Sequence, residues 1–187
     1  LTEEALTNIL KTIPNDTSKV YVFPLVKPAD LQNSKSSQFV VYIYESLILR
    51  IAHGSTSFLF NKWNELLQEP KNSNFYVLLV DDFIGTGNTA ISCADDYVNN
   101  KNVNRNSILI STFYSMEVGL ENVKDAGYQI ISLNTMKRGI TDHFSQNELP
   151  EKYKIIDEIE ARHGITKAYK RGLEQSEALL TLMRTPN

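Results

Sequence analysis

Apolar residues fall into short blocks along the chain, and their spacing predicts an order of strands and helices. Thr2-Glu3-Glu4 ahead of Ala5, Leu6, Ile9 and Leu10 predicts a short amphipathic helix stopped by Pro14. Val20 to Val26, rich in β-branched and aromatic residues, predicts a buried strand, with Pro24 marking a kink or an edge near its end. Lys27 to Ser37 is polar, carries Pro28 and Asn33, and reads as a loop. Phe39 to Ile51 is open to two readings: its front, Phe39 to Tyr44, looks extended, while Leu47, Ile48 and Ile51 suit a helical face. Ser57 to Gln68 predicts a helix with Phe58, Leu59, Trp63, Leu66 and Leu67 at helical spacing, ended by Pro70 and Asn72.

The alternation becomes regular from Phe75. A strand over Phe75 to Val80 is followed by a helix over Thr89 to Val98 and a strand over Ser107 to Phe113. A helix over Glu117 to Ala126, stopped by Gly127, and a strand over Gln129 to Leu133 complete the series. Strand and helix in strict succession predict an α/β fold with a mostly parallel, doubly wound sheet. Pro150 to His163 then predicts a helix with Tyr153, Ile156 and Ile159 facing inward and Gly164 at its end. A last helix is expected from about Lys167 to Met183, so that 149–187 forms an α-helical C-terminal extension.

Composition narrows the function classes. The chain has 187 residues, 42% of them hydrophobic and 22% charged, as in ordinary globular domains. Lys plus Arg total 19 against 22 Asp plus Glu, a net charge of −3, which disfavours a polyanion-binding protein as a whole but leaves room for a local basic patch. The longest apolar run, Phe39 to Ile51, is broken by Glu45 and Arg50 and is too short to span a bilayer, so no membrane partner is expected. One cysteine, Cys93, excludes an internal disulfide and a Cys-based zinc cage, and fits a small buried hydrophobe in a reducing compartment. No signal-peptide progression opens the sequence, and a cytoplasmic location is expected. The chain starts at Leu1 and stops after Arg184-Thr185-Pro186-Asn187, so a piece of a longer protein is expected.

The chemistry concentrates in Val77-Leu78-Leu79-Val80-Asp81-Asp82-Phe83-Ile84-Gly85-Thr86-Gly87-Asn88-Thr89. A hydrophobic strand ends in two carboxylates, and a short glycine-containing loop leads into a helix. In open α/β sheets the ligand crevice lies at the carboxyl ends of strands. Gly85 and Gly87 let the backbone turn tightly against an anion, and the amides of Thr86 to Thr89 sit at a helix N-terminus, where free N–H groups and the dipole favour phosphate. The Thr86 and Thr89 hydroxyls add donors. Asp81 and Asp82 repel phosphate but suit vicinal sugar hydroxyls, or Mg²⁺ through water. A phosphate grip beside a diol grip describes a ribose 5-phosphate. Taken singly, each feature also fits a helix cap or an ordinary strand-to-helix turn. The segment is neither a Walker A loop nor a dinucleotide fingerprint, because the glycine and lysine spacings are wrong.

Residues 77–89 resemble throughout the phosphoribosyl-pyrophosphate (PRPP) motif of type I phosphoribosyltransferases. The resemblance implies that Asp81 and Asp82 are the catalytic pair contacting the ribose 2′- and 3′-hydroxyls. It also implies that Gly85, Thr86, Gly87, Asn88 and Thr89 bind the 5′-phosphate, and that Mg²⁺ is the cofactor, held through the substrate. PRPP synthetases carry a similar segment but need two such domains. The wider chain, through Asp81–Thr89, Gly172–Leu180 and Arg184–Asn187, resembles the phosphoribosyltransferase-like domains of prokaryotic conflict systems (PRTase-CE), some encoded beside retron reverse transcriptases. On that resemblance residues 1–187 form a single domain cut short at its C-terminus. Its substrate is PRPP or a related ribosyl phosphate or nucleotide. Its role is that of a transferase or glycosidic-bond enzyme acting as a defence effector, or of a non-catalytic sensor. The implied partners are a reverse transcriptase with its non-coding RNA or DNA and a winged-helix protein. A homo-oligomer is compatible with the sequence.

Three further segments carry candidates. Phosphoribosyltransferases bind pyrophosphate with a loop after the first strand; here that loop is Lys27 to Gln38, with Lys35, Ser36 and Ser37 as contacts, but it has no glycine and fits a plain solvated loop equally well. Lys137 and Arg138, near Asp142 and His143, stand where a hood over the substrate would lie; they can neutralise pyrophosphate or simply decorate a loop. His53 and His163 precede glycines and read as helix-end residues, and Phe58, Phe60 and Trp63 as core.

Overall fold

The computed structural model describes residues 2–27, 36–51, 55–70, 73–101 and 103–178. Helix α1 (Glu3–Leu10) starts where expected, with the Thr2 hydroxyl accepting the Ala5 amide at 3.1 Å. Strand β1 (Lys19–Pro24) leads to helix α2 (Ser36–Ile51), strand β2 (Ser57–Phe60) and the short helix α3 (Trp63–Leu67). Strand β3 (Phe75–Ile84), helix α4 (Asn88–Lys101), strand β4 (Ile108–Met116), helix α5 (Glu117–Asp125), strand β5 (Gln129–Met136) and helix α6 (Leu149–Arg162) follow.

The five strands form one parallel sheet in the order β2-β1-β3-β4-β5. The chain therefore works outward to β2, returns across β1, and continues the other way from β3. The strand order reverses between β1 and β3, and the carboxyl ends of the strands at such a reversal are the usual ligand position in doubly wound sheets.

Strand alternation divides the core into two layers. Val20, Val22, Leu78, Val80 and Leu109 pack against α1 and α2, through Leu6, Ile9, Val40, Val41, Tyr44 and Ile48. Tyr21, Phe23, Val77, Leu79, Ile108 and Ile110 pack on the other face against α4 and α5, through Ala90, Cys93, Ala94, Tyr97 and Val123. Because both faces are covered, β1 and β3 read as continuous apolar runs rather than alternating ones. Each fully buried aliphatic side chain contributes about 1.5–3 kcal/mol.

The structure settles one open reading and corrects several expectations. The extended-looking front of Phe39–Ile51 is helical, and the helix begins earlier, at Ser36. Its β-branched Val40 and Val41 join Tyr44 and Ile48 on the buried face, leaving Phe39 and Tyr42 49% and 64% exposed; tertiary burial overrides β propensity. The helix expected over Ser57–Gln68 is instead a strand and a short helix: Ser57–Phe60 pairs with β1, and Asn61, at φ 55°, turns the chain into α3. In α6, Ile159 is 45% exposed rather than inward. The last helix is replaced, as far as Ala178, by 3-10 turns at Lys167–Tyr169 and Leu173–Gln175; the rest of its expected span lies outside the described residues. Pro24 is the last residue of an internal strand, not an edge marker, and costs no pairing beyond its own amide. Phe23, Trp63 and Tyr97 meet ring to ring, so the aromatic cluster around Trp63 is core. Among the described residues no helix is long and apolar enough to cross a membrane.

Candidate functional site

Strand β3 outruns its neighbour on one side. Pairing with β1 reaches Pro24↔Val80, and the Leu25 amide donates to the Val80 carbonyl at 2.9 Å as the last backbone bond there. Pairing with β4 continues through Asp81↔Thr112 and Phe83↔Tyr114 to Ile84↔Ser115. Asp81 and Asp82 thus lie on a strand held along its β4 side, past the end of β1, at the sheet's reversal point.

By alternation Asp81 shares the face of Val77 and Leu79, toward α4. Its Oδ1 accepts the Asp82 amide at 3.0 Å. Burial pushes the Asp81 carboxyl well above the usual carboxylate range, and the neighbouring Asp82 charge pushes it further; the Asp82 amide offsets part of this. A half-buried, desolvated carboxyl beside a second one is a place where positive charge or hydroxyl donors are favourable.

The chain then turns through Gly85-Thr86-Gly87 into α4. Gly87 has φ +86°, and a Cβ there would stand 2.8 Å from the Gly119 carbonyl oxygen. Helix α5 backs the turn: a Cβ on Gly119 would lie 2.1 Å from the Gly85 carbonyl oxygen, and the Asn122 side-chain amide donates to the Thr86 carbonyl at 2.9 Å. The loop is therefore pinned by backbone contact with α5, while the first amides of α4 lack intrahelical acceptors.

An anion already stands at this loop. The Thr86 hydroxyl and the Asn88 side-chain amide, the latter at 2.8 Å, both donate to Oε2 of Glu174. Ser176 packs over Gly85, its Cβ 3.5 Å from where a Gly85 Cβ would be. The donors grouped around 85–89 are thus arranged to receive a negatively charged oxygen.

The structure brings Asp81, Asp82 and Gly85–Thr89 together along one strand end and turn. The pyrophosphate candidates separate from that picture: Lys35 lies outside the described residues, and Ser36 and Ser37 form the first turn of α2 rather than a loop. The hood cations diverge. Lys137 directly follows β5, whereas Arg138 is bound to Asp142 by its guanidinium, at 2.8 and 3.1 Å, and by its backbone amide, at 2.8 Å. That pairing spends the Arg138 charge inside its own loop. His163 caps the end of α6, and His53 lies outside the described residues.

Sequence reasoning missed Gly119, Asn122, Glu174, Ser176 and Glu177. Only Gly119 carried a signal, since glycine inside a helical pattern is unfavourable unless something requires it. The others depend on contacts made from distant parts of the chain.

No curated protein sequence matches the chain significantly. Among solved structures it is similar to an orotate phosphoribosyltransferase from Aeropyrum pernix, at 15% identity and TM-score 0.38, covering 71% of this chain and 70% of that one. It is similar also to an adenine phosphoribosyltransferase from Thermoanaerobacter pseudethanolicus, at 15% identity and TM-score 0.38, covering 72% and 80%. The PRTase-CE family model matches residues 2–181, nearly the whole chain, with the strand, carboxylate pair and glycine turn inside it, and the protein belongs to the PRTase-CE family of phosphoribosyltransferase-like proteins.

Proposed function

We propose that the protein binds PRPP or a related ribose 5-phosphate or nucleotide through residues 77–89, and acts on it as a phosphoribosyl-transferring or glycosidic-bond enzyme. The observation that carries this reading is the cradle at Gly85–Asn88, which lies directly after the Asp81-Asp82 pair and already accommodates a carboxylate. The loop amides and the Thr86 and Thr89 hydroxyls would receive the 5′-phosphate; Asp81 and Asp82 would hold the ribose hydroxyls.

The same pair fits Mg²⁺. Two neighbouring carboxylates, one of them buried enough to resist ionisation, suit a divalent cation shared with substrate oxygens and water. Among the described residues there is no cluster of three or more His, Cys, Asp or Glu side chains placed to cage a metal by themselves. Asp81 and Asp82 would therefore hold the ion together with the substrate, where it would supply positive charge to offset the negative charge of the pyrophosphate. In the reaction the C1–O bond to pyrophosphate breaks, the electron pair leaves with pyrophosphate, and the acceptor's nucleophilic atom bonds to C1. The transition state is oxocarbenium-like, so the chain's contribution is orientation and charge stabilisation.

Calorimetric titration of PRPP with Mg²⁺ into the wild-type protein and an Asp81→Asn/Asp82→Asn variant tests the binding reading. Binding by the wild type and loss in the variant are expected; unchanged affinity overturns it. Pyrophosphate release across a panel of nucleobases tests turnover. Retained binding without turnover would favour a sensor of PRPP, the reading that the glycine-free 27–38 segment supports. Membership of a family named for conflict systems supports a defence-effector setting, in which a reverse transcriptase, its non-coding nucleic acid or a winged-helix protein would co-purify with the chain from its native operon.

A further inference from the structure

We propose that residues 171–177 form an internal competitor for the anion cradle: the Glu174 carboxylate stands where the 5′-phosphate would bind, and the ligand must lift it. This rests on the reading of 77–89 as a sugar-phosphate site.

Three observations converge. First, Glu174 engages the donors an incoming phosphate would need. The Thr86 hydroxyl has one proton to donate, and it goes to Oε2 of Glu174, as does the Asn88 amide. A phosphate at the same donors would also face the carboxylate's negative charge at contact distance, so the two occupants exclude each other.

Second, the segment is fastened on both sides of Glu174. Upstream, the Arg171 amide donates to Oε1 of Glu160 at 2.5 Å, and its guanidinium lies 4.4 Å over the Tyr153 ring and 3.9 Å from Asp157. Downstream, the Glu177 carboxylate accepts the Ile140 amide at 2.8 Å, the Thr141 amide at 2.7 Å and the Thr141 hydroxyl at 2.7 Å. Its carbonyl accepts the Gly139 amide at 3.0 Å. Glu177 is buried, whereas Glu174 is exposed. The anchors are firm and the plug is soft, a strap fixed at its ends and released at its middle.

Third, the strap is strained. Arg171, Glu174, Gln175 and Glu177 have φ of 53°, 54°, 58° and 51°, the left-handed region that side-chain-bearing residues avoid, and Gly172 has φ 84°. Such a run persists only while its contacts hold, so release of Glu174 relaxes the backbone as the ligand enters.

The test titrates ribose 5-phosphate into the full chain and into Glu174→Gln and Glu174→Ala variants. Removing the plug raises the fraction of competent sites, and affinity is expected to rise about tenfold in both. Equal or weaker affinity in both variants overturns the competitor, and weaker affinity would make Glu174 part of the site. If the wild type and variants bind neither ribose 5-phosphate nor PRPP, the sugar-phosphate reading fails and this inference with it. Hydrogen exchange in the wild type covers a variant that does not fold. The Gln175 amide, bonded to the Gly172 carbonyl at 3.0 Å in the middle of the strap, should exchange faster once ribose 5-phosphate is bound. Unchanged or slower exchange under saturating ligand means the strap stays or closes over it, and overturns the proposal while leaving the binding site intact.

Discussion

Gly119 and Gly85 meet backbone to backbone: a Cβ on Gly119 would lie 2.1 Å from the Gly85 carbonyl oxygen and 3.2 Å from Cγ2 of Ile84. No side chain can stand that close to a carbonyl, so one of the two elements must move if Gly119 gains one. Two effects then compete. Alanine favours the interior of a helix over glycine by about 1 kcal/mol. Overpacking a rigid contact opposes it by about 1–3 kcal/mol, and the neighbour here is backbone that cannot rotate away. Gly119→Ala is therefore expected to lower the melting temperature by a few degrees and to weaken ribose 5-phosphate binding together with it. A melting temperature above that of the wild type would show that propensity wins and that α5 does not pin the loop.

Asp81 is held at the opposite balance between stability and function. Its folded-state pKa is raised above the unfolded value, first by burial and then by Asp82, so the folded state holds the proton more tightly than the unfolded chain. Stability therefore falls as pH rises from the ordinary carboxylate range through the raised value, and the penalty is complete above it. Asp81→Asn removes the ionisation while keeping an oxygen to accept the Asp82 amide. The variant should melt about 2–4 °C higher than the wild type at neutral pH, corresponding to about 1 kcal/mol, with the gain vanishing near pH 4. It should also lose PRPP affinity. Thermal unfolding across pH checks the first expectation; a variant less stable at pH 7 would show that the carboxylate is stabilised by partners rather than strained.

The elements most legible in the sequence were those whose signal is local. The run Val77–Val80, the Asp81-Asp82 pair and Gly85-Thr86-Gly87 announce a strand, its polar end and a turn within thirteen residues. Helix α5 and its stop at Gly127, which has φ +82°, were similarly local. Phe39–Tyr44 stayed open because a β-branched run fits a buried helix face as well as a strand, and only packing against β1 and β3 decides. Ser57–Phe60 misled because its partner, Lys19–Val22, lies almost forty residues earlier. Gly172–Glu177 carries good helix formers, yet its conformation is set by Glu160, Thr141 and Thr86, contacts that no local pattern encodes.

Tyr97 offers a test of the core beneath the site. Its ring packs among Phe23 and Trp63, at centroid distances of 5.8 and 5.5 Å, and is fully buried. Among the described residues its hydroxyl has no hydrogen-bond partner, and burial pushes the phenol well above its usual range. An unsatisfied buried hydroxyl costs about 1–3 kcal/mol of desolvation, while the cavity left by deleting one oxygen offsets part of the gain. Tyr97→Phe is expected to leave the fold intact and to raise stability by about 1 kcal/mol in urea denaturation. Destabilisation by a similar amount would reveal a partner for the hydroxyl.

Glu177 fastens the strap, and its ionisation controls the fastening. Burial alone would raise its pKa, but the Thr141 hydroxyl, the Thr141 and Ile140 amides and the Tyr153 hydroxyl all donate to the carboxylate and hold it below the ordinary value of 4.5. A lowered folded-state pKa means the anchor's contribution is complete above pH 4.5 and is lost as pH falls through the folded value. In NMR titrations the Ile140 and Thr141 amide shifts should stay flat from pH 7 to 5 and move with a midpoint below 4.5. Glu177→Ala removes both acceptor oxygens and leaves the part-buried Ile140 and Thr141 amides without their partner. The loss of about 2 kcal/mol expected for charge-assisted bonds corresponds to about 30-fold faster hydrogen exchange at Ile140 and Thr141 at pH 7. Opening there is local, so exchange reports it more directly than the melting temperature does. A titration midpoint above 4.5, or unchanged exchange in the variant, would show that the Glu177 carboxylate does not fasten the strap.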